Sequence, residues 1–246
     1  MASLSLHGLP NIPLIEPGDD LADVLAAALR DGGFQARSGD VLVVCQKIVS
    51  KAEGRYVLLD GVTPGERAEE LARITGKDPR LVEVVLSESD EVLRAAEGRL
   101  IVAHRLGFVV ANAAVDQSNV DQDAEGERVL LLPEDPDASA RKLREGLRDR
   151  LGLELGIIVN DSFGRAWRNG VVGTAIGIAG LPAIHDLVGK TDIFGRPMQT
   201  TQSAYADEIA SAASLVMGET DSALPAVLVQ GLAYEPSEQG AAARLR

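Results

Sequence analysis

Continuous apolar runs alternate with amphipathic segments along this chain. Val41-Leu42-Val43-Val44-Cys45 and Leu155-Gly156-Ile157-Ile158-Val159 are apolar runs of strand length, which predicts strands covered on both faces. Further strands are predicted at Leu100 to Ala103, Phe108 to Asn112, Val129 to Leu132 and Ala226 to Gln230. Helical periods lie between them. Pro17-Gly18-Asp19-Asp20 reads as a turn and cap; Leu21, Val24, Leu25, Ala28 and Leu29 then share one face until Gly32-Gly33. A second helix is predicted near Gly65 to Thr75. A charged one over Asp135 to Arg150 turns Leu143, Leu147 and Leu151 inward, and an Ala-rich one over Ala204 to Met217 stops at Gly218. Gly173 to Gly180 reads as a Gly/Ala-rich, tightly packed stretch. Gln46 to Arg55 reads as a continuation of the strand from Val41, and Gly240 to Arg246 as unstructured. This mixture predicts an α/β or α+β fold.

The richest polar segment follows the second apolar run. Asn160-Asp161-Ser162-Phe163-Gly164-Arg165-Ala166-Trp167-Arg168-Asn169-Gly170 places a carboxylate, a hydroxyl, two arginines and two glycines beyond Val159. Asp and Ser can hold a hard divalent cation, arginines clamp phosphate oxygens, and glycines admit a ligand close to the backbone. Asp192-Ile193-Phe194-Gly195-Arg196-Pro197-Met198 repeats the Asp-x-Phe-Gly-Arg form. Phe163 and Trp167 are expected to pack beneath the loop, with Arg165 and Arg168 directed at substrate. Lys190 and Arg196 are further candidates for phosphate or carboxylate contacts. Asp116, Asp161 and Glu219 each follow a predicted strand or helix end. Singly, each is most simply a solvated turn acid; jointly they would make a metal site. Lys47 and Lys51 read equally well as edge-strand protectors or phosphate contacts.

Composition narrows the chemistry. The 246-residue chain carries a formal net charge of −13, which argues against a nucleic-acid-binding surface. A phosphate-bearing ligand must then be met by local cations or by metal. Three histidines and one cysteine all but exclude a His/Cys zinc site and direct any metal site to oxygen donors, hence Mg²⁺ or Mn²⁺. The lone Cys45 has no partner for an internal disulfide, and no apolar span or signal-like segment is evident, so a soluble, cytoplasmic protein is expected. Gly189-Lys190-Thr191 lacks the first glycine of a P-loop, and Gly173-x-x-x-Gly177-x-x-Gly180 lacks the start of a dinucleotide fingerprint.

One set of motifs, in order from Gly8 to about Gly231, is specific as a whole. It comprises Gly8-Leu9-Pro10-Asn11-Ile12, Pro17-Gly18-Asp19-Asp20-Leu21, Gln46 to Gly54, Asp116-Gln117-Ser118-Asn119-Val120, Asp161 to Gly170, Asp192 to Met198 and Met217 to Asp221. The set resembles the coenzyme F420-0:L-glutamate ligase (F420 gamma-glutamyl ligase) family. That resemblance implies a mixed α+β fold of an unusual two-lobed kind, neither P-loop, Rossmann nor ATP-grasp. It implies one ligase domain over residues 1–246, with room for two intertwined lobes and without the nitroreductase-like domain that some relatives add. The implied activity is GTP-dependent attachment of L-glutamate, then further γ-linked glutamates, to coenzyme F420-0 through an acyl phosphate. Mg²⁺ or Mn²⁺, K⁺ and a homodimer belong to the same expectation. Carried onto this chain, the nucleotide site would include Leu9, Pro10, Asn11, Ile12, Gln46, Lys47, Lys51 and Asn119. It would also take in Met217, Gly218, Glu219, Thr220, Asp221, Ser222, Ala223 and Leu224. Asp116, Asp161, Ser162 and Glu219 would hold metal. The competing readings are a metal-dependent phosphotransferase or phosphatase, and a non-catalytic nucleotide-binding protein.

Overall fold

A computed structural model of the chain describes residues 3–119 and 126–245. In chain order these form β1 (Ser5–Gly8), α1 (Leu21–Asp31), β2 (Val41–Cys45), α2 (Gln46–Ala52), β3 (Tyr56–Leu58), α3 (Glu66–Thr75), α4 (Pro79–Ser87), β4 (Ser89–Ala96), β5 (Arg99–His104), β6 (Val109–Ala111), β7 (Arg128–Leu130), α5 (Pro136–Leu151), β8 (Gly156–Gly164), β9 (Val171–Ala179), β10 (His185–Asp186), β11 (Gln202–Ser203), α6 (Tyr205–Met217), β12 (Ala226–Gln230) and α7 (Ala241–Arg244).

Five strands make the main sheet in the order β1-β12-β2-β8-β9. The central pair, β2 and β8, is parallel, and the other neighbours are antiparallel. The apolar runs fill both faces, as their continuity predicts. Leu42 and Val44 enter a core shared with α1 and α5, whereas Val41 and Val43 enter one shared with α6. The connection from β2 to β8 carries two smaller sheets, β4-β5-β6 and β3-β7, and ends in α5. Leu71, Val82, Val85, Leu100 and Val102 give that insertion a core of its own. This mixed architecture matches the expected fold class and is neither a P-loop, a Rossmann nor an ATP-grasp arrangement. Among the described residues no helix is long and apolar enough to cross a membrane.

Several local expectations are corrected. The strand from Val41 stops at Cys45, and Gln46 to Ala52 is helical. Ile48 and Val49 are buried in the main core with Ala52 packed against it, while Lys47 and Lys51 stand one turn apart, which is helical and not strand periodicity. Strand β8 runs past the apolar run through Gly164, because Asn160 to Gly164 find partners on β9. Helix α4 escapes the pattern reading although Asp78 caps it and proline occupies its first turn. The tail contains a helical turn, since the buried Asp137 carboxylate accepts hydrogen bonds from the Ala241 and Ala242 amides. Gly173 to Ala179 lie in β9, and the glycines of this stretch do serve close packing. A β-carbon on Gly177 would collide with the Pro136 carbonyl, and one on Gly173 would sit 2.5 Å from the Ala210 carbonyl oxygen.

Candidate active site

Topology brings the predicted segments to one edge of the main sheet. β1 and β2 are each antiparallel to β12 and so run the same way, with β8 parallel to β2. The chain leaving β1 (Leu9 to Ile12), the helix after β2 (Gln46 to Ala52), the end of β8 and the segment entering β12 (Gly218 to Pro225) therefore share that edge. In open α/β sheets ligands bind beyond the carboxyl ends of the parallel strands, and here those ends are Cys45 and Asn160, which are register partners.

Polar contacts then tie the segments together. Lys47 Nζ lies 2.8 Å from Asp116 Oδ2 and donates to Ser118 Oγ at 2.7 Å. Lys51 Nζ donates to the Asn119 carbonyl at 2.7 Å. Asn119 Nδ2 reaches the Thr220 carbonyl at 3.4 Å, and Ser162 Oγ donates to Glu219 Oε1 at 2.9 Å. Helix α2, the Asp116 loop, β8 and the loop after α6 are thus connected through side chains. Val120, the last residue of the Asp116 motif, lies outside the described residues. Gln46 is buried and accepts from Ser50 Oγ at 2.8 Å, so its side chain braces α2 from within.

The electrostatics mark Asp161 as the centre of the cluster. Burial pushes its carboxyl up to about 7, and the negative charges of Asp116 and Glu219 add to the effect. The Ser162 amide, donating at 2.8 Å, and Lys47 oppose it without cancelling it. Asp161 lies close enough to feel the charge of both other acids, and a set of oxygen donors with surplus negative charge suits a hard cation. Among the described residues no three acidic, histidine or cysteine side chains stand in ligating geometry; Lys47 takes one Asp116 oxygen and Ser162 one Glu219 oxygen. Cys45, beside them, is pushed up to about 11 chiefly by burial and stays a thiol.

Backbone strain gathers on the approach to this cluster. Asn112, Ala113 and Ala114 all adopt left-handed angles (φ 52°, 51° and 53°) just ahead of Asp116, and Asn11, Asn119 and Ala223 do so singly. Each costs a non-glycine residue about 1–2 kcal/mol, and such residues persist where the surroundings over-determine them, commonly at ligand sites. The Asp116 amide and carbonyl pair with Leu130 at 3.0 and 2.8 Å, which fixes the end of this turn.

The remaining predicted residues divide. Leu9 is fully buried with its amide on the Ala226 carbonyl, Pro10 and Ile12 are half-buried and Asn11 is exposed. Met217, the last residue of α6, is buried. Gly218 (φ 71°) turns the chain outward so that Glu219, Thr220, Asp221, Ser222 and Ala223 are exposed and Leu224 half-buried. Phe163 packs edge-on against Phe108 with ring centroids 5.3 Å apart, as expected. Trp167 does not pack beneath the loop. It is 100% exposed, and its left-handed backbone (φ 61°) lies in a hairpin whose flanking Arg165 and Arg168 are exposed too. Phe163 fills the core side, and a β-carbon on Gly164 or Gly170 would meet nothing within 4 Å, so the turn stands clear of the core. Lys190 and Arg196 sit on an exposed excursion between β10 and β11, rooted where β9 ends, at the opposite edge of the sheet. Neither takes part in the side-chain contacts that tie the Asp161 cluster together.

Sequence reasoning passes over the Asn160 side chain. It is buried, donating to Ser214 Oγ at 3.2 Å and lying 3.7 Å from Met217 Sδ, so it pins the last turn of α6 against β8 ahead of Glu219. Its signal is an amide at the end of an apolar run, where an uncompensated polar group is costly.

This geometry meets independent support in comparisons with known proteins. A family model described as F420-0:Gamma-glutamyl ligase matches residues 10–231. A coenzyme F420:L-glutamate ligase of Methanothermobacter thermautotrophicus is 45% identical over 228 residues, 93% of this chain and 89% of the relative. One of Methanopyrus kandleri is 43% identical over 235 residues, 96% and 90% of the two chains, and one of Archaeoglobus fulgidus is 45% identical over 221 residues, 90% and 85%. The matched span reaches from Pro10 to Gly231, nine tenths of the chain, and takes in Asp116, Asp161 and Glu219: the chain belongs to the F420-0:gamma-glutamyl ligase family.

Proposed function

We propose that this chain is a GTP-dependent ligase that joins L-glutamate to coenzyme F420-0, and then further glutamates by γ-linkage. The observation that carries the reading is the gathering of Asp116, Asp161, Glu219, Lys47 and Lys51 at one sheet edge beside a hairpin bearing two exposed arginines. Amide formation from a carboxylate needs a better leaving group than hydroxide. A carboxylate oxygen of the acceptor attacks the γ-phosphorus of GTP, the bond to the β-phosphate oxygen breaks, and GDP leaves. The glutamate amine then attacks the acyl carbon, loses a proton, and expels phosphate. Such transfers depend on in-line placement and charge neutralisation.

The chain's own groups suit those tasks. Lys51, which donates to the Asn119 carbonyl, meets phosphate oxygens in this reading. Leu9 to Ile12 and Met217 to Leu224 form the apolar and backbone walls of the nucleotide site. Asp116, Asp161, Ser162 and Glu219 fit Mg²⁺ or Mn²⁺ by donor chemistry, and such a cation would neutralise phosphate oxygens. Potassium belongs to the same reading. Arg165 and Arg168 neutralise anionic substrate groups, the role by which a chain with net charge −13 accepts two anionic substrates. A homodimer is supported by the exposed Ile193 (93%) and Phe194 (79%) on the β10–β11 excursion, which are costly to leave in water.

Incubation with GTP, Mn²⁺, L-glutamate and coenzyme F420-0 tests the reading by mass. A ligase adds one or more glutamate residues to the acceptor with matching release of GDP. Release of phosphate from GTP without an adduct would replace the reading with a phosphatase, and binding of GTP without turnover with a non-catalytic protein.

A further inference from the structure

Trp167 is the single tryptophan of the chain, and it is wholly exposed in a folded protein that buries most of its large apolar side chains. Full exposure of an indole forgoes the gain of burying a large apolar surface, and its left-handed backbone (φ 61°) adds to the cost. The position of the side chain is defined by its neighbours. Strand β8 carries Asp161 and ends at Gly164, β9 resumes at Val171, and their ladder is paired up to Gly164 and Val171. The hairpin between them is therefore an outward continuation of the strand that holds Asp161. At about 3.3 Å per residue, the strand places its tip roughly 10 Å or more beyond the acidic cluster. On either side of the indole stand Arg165 and Arg168, exposed like it.

We infer that Trp167 is the stacking platform for the flat aromatic ring system of the acceptor, with Arg165 and Arg168 receiving anionic groups on the arm that joins that ring to the reacting carboxylate. The inference rests on the ligase reading and adds the residue that selects the acceptor. An indole face offers a ring-shaped ligand a large contact area with few rotors to freeze. Guanidinium groups beside it add positive charge at the hairpin, apart from Lys47 and Lys51, which are held at Asp116 and the Asn119 carbonyl. The distance suits a two-ended substrate: its carboxylate reaches Asp161 and the phosphate-transfer groups while its ring rests on the hairpin. Arg165 and Trp167 thereby discriminate between acceptors, whereas Lys51 and the Met217 to Leu224 segment hold the nucleotide.

Because no other tryptophan is present, intrinsic fluorescence reports this residue alone. In the free protein the emission should be that of a solvent-exposed indole, unchanged on dilution. Coenzyme F420-0, added without nucleotide and corrected against free N-acetyltryptophanamide, should quench it saturably and shield it from acrylamide. L-glutamate alone should not. In steady-state assays Trp167→Ala should raise KM for the acceptor roughly ten-fold or more, as loss of a stacking contact does, and leave KM for GTP within about two-fold. Trp167→Phe should recover most of the loss. Emission already shielded in the free protein and exposed on dilution would assign the indole to contact with a second copy and overturn the inference. Wild-type turnover with an unchanged acceptor KM in Trp167→Ala would overturn it while leaving the ligase reading intact. Absence of glutamate addition by the wild-type protein would remove both.

Discussion

Single residues at the sheet edge carry charge out of proportion to their number. The Asp161 carboxyl holds its proton up to about 7 in the folded chain, against about 3.9 when unfolded. Its contribution therefore favours folding below the unfolded value and is lost as pH rises through about 7. In chelator, Asp161→Asn should consequently melt above the wild type at pH 8, and the gap should close by pH 5. Melting curves at both values check this; an equal gap at each would mean that the charge is already relieved. The same substitution should abolish glutamate addition. The two lysines should separate in their effects. Lys51→Ala should weaken GTP binding by roughly 1.5–3 kcal/mol, the range for a charge-assisted hydrogen bond. Lys47→Ala removes the counter-charge from Asp116, so Mn²⁺ should bind as tightly as before or more tightly, by calorimetry. Weaker Mn²⁺ binding would show that Lys47 organises the acids rather than competing for them. The types of these residues can be read in the sequence, but their partners cannot: nothing in the spacing of Lys47, Asp116 and Ser118 says that they touch.

At the scale of elements, helix α6 and the paired strands β8 and β9 must pack to within fractions of an ångström. Ser211 Oγ donates to the Gly173 carbonyl at 2.8 Å, Ser214 Oγ accepts from Asn160, and a β-carbon on Gly173 would collide with both Ser214 and the Ala210 backbone. Gly173→Ala should push the end of α6 outward, and Glu219 with it. We expect a stability loss near the ~1–3 kcal/mol of overpacking together with a fall in kcat. Gly164→Ala meets no atom within 4 Å and should be silent in both. If Gly173→Ala destabilises without touching kcat per folded molecule, the seating of α6 does not govern Glu219. Periodicity alone recovers α1, α3, α5 and α6, β2 and the apolar half of β8, because each buries a face against a long-lived partner. It misses α2, which is short and starts directly after an apolar run, and the outer half of β8, whose polar residues form a strand only because β9 supplies hydrogen bonds. A strand stabilised by its neighbour leaves no mark in its own sequence.

On the scale of the molecule, the last strand and the tail close what the first strand opens. Asp137 in α5 accepts from the amides of Ile178, Ala241 and Ala242 at 2.8, 2.8 and 3.0 Å, joining a helix, the sheet and the C-terminal turn through one buried carboxylate. Asp137→Ala leaves three buried or half-buried donors unmet and should cost roughly 1.5–3 kcal/mol or more, visible as a fall in Tm of several degrees. A Tm within about one degree of the wild type would show that water replaces the carboxylate. The order of the main sheet also sets a timetable. Ser5 pairs with Gln230, and β12 lies between β1 and β2, so β1 and β2 leave the ribosome early and wait for their common neighbour until Ala226 to Gln230 have been made. Pairings so remote along the chain form slowly. Leu9 and the Met217 to Leu224 segment, the walls of the proposed nucleotide site, come together only then. On the proposed function, a nascent chain is accordingly blind to GTP until β12 has been made, and nucleotide capture reports that the main sheet has closed.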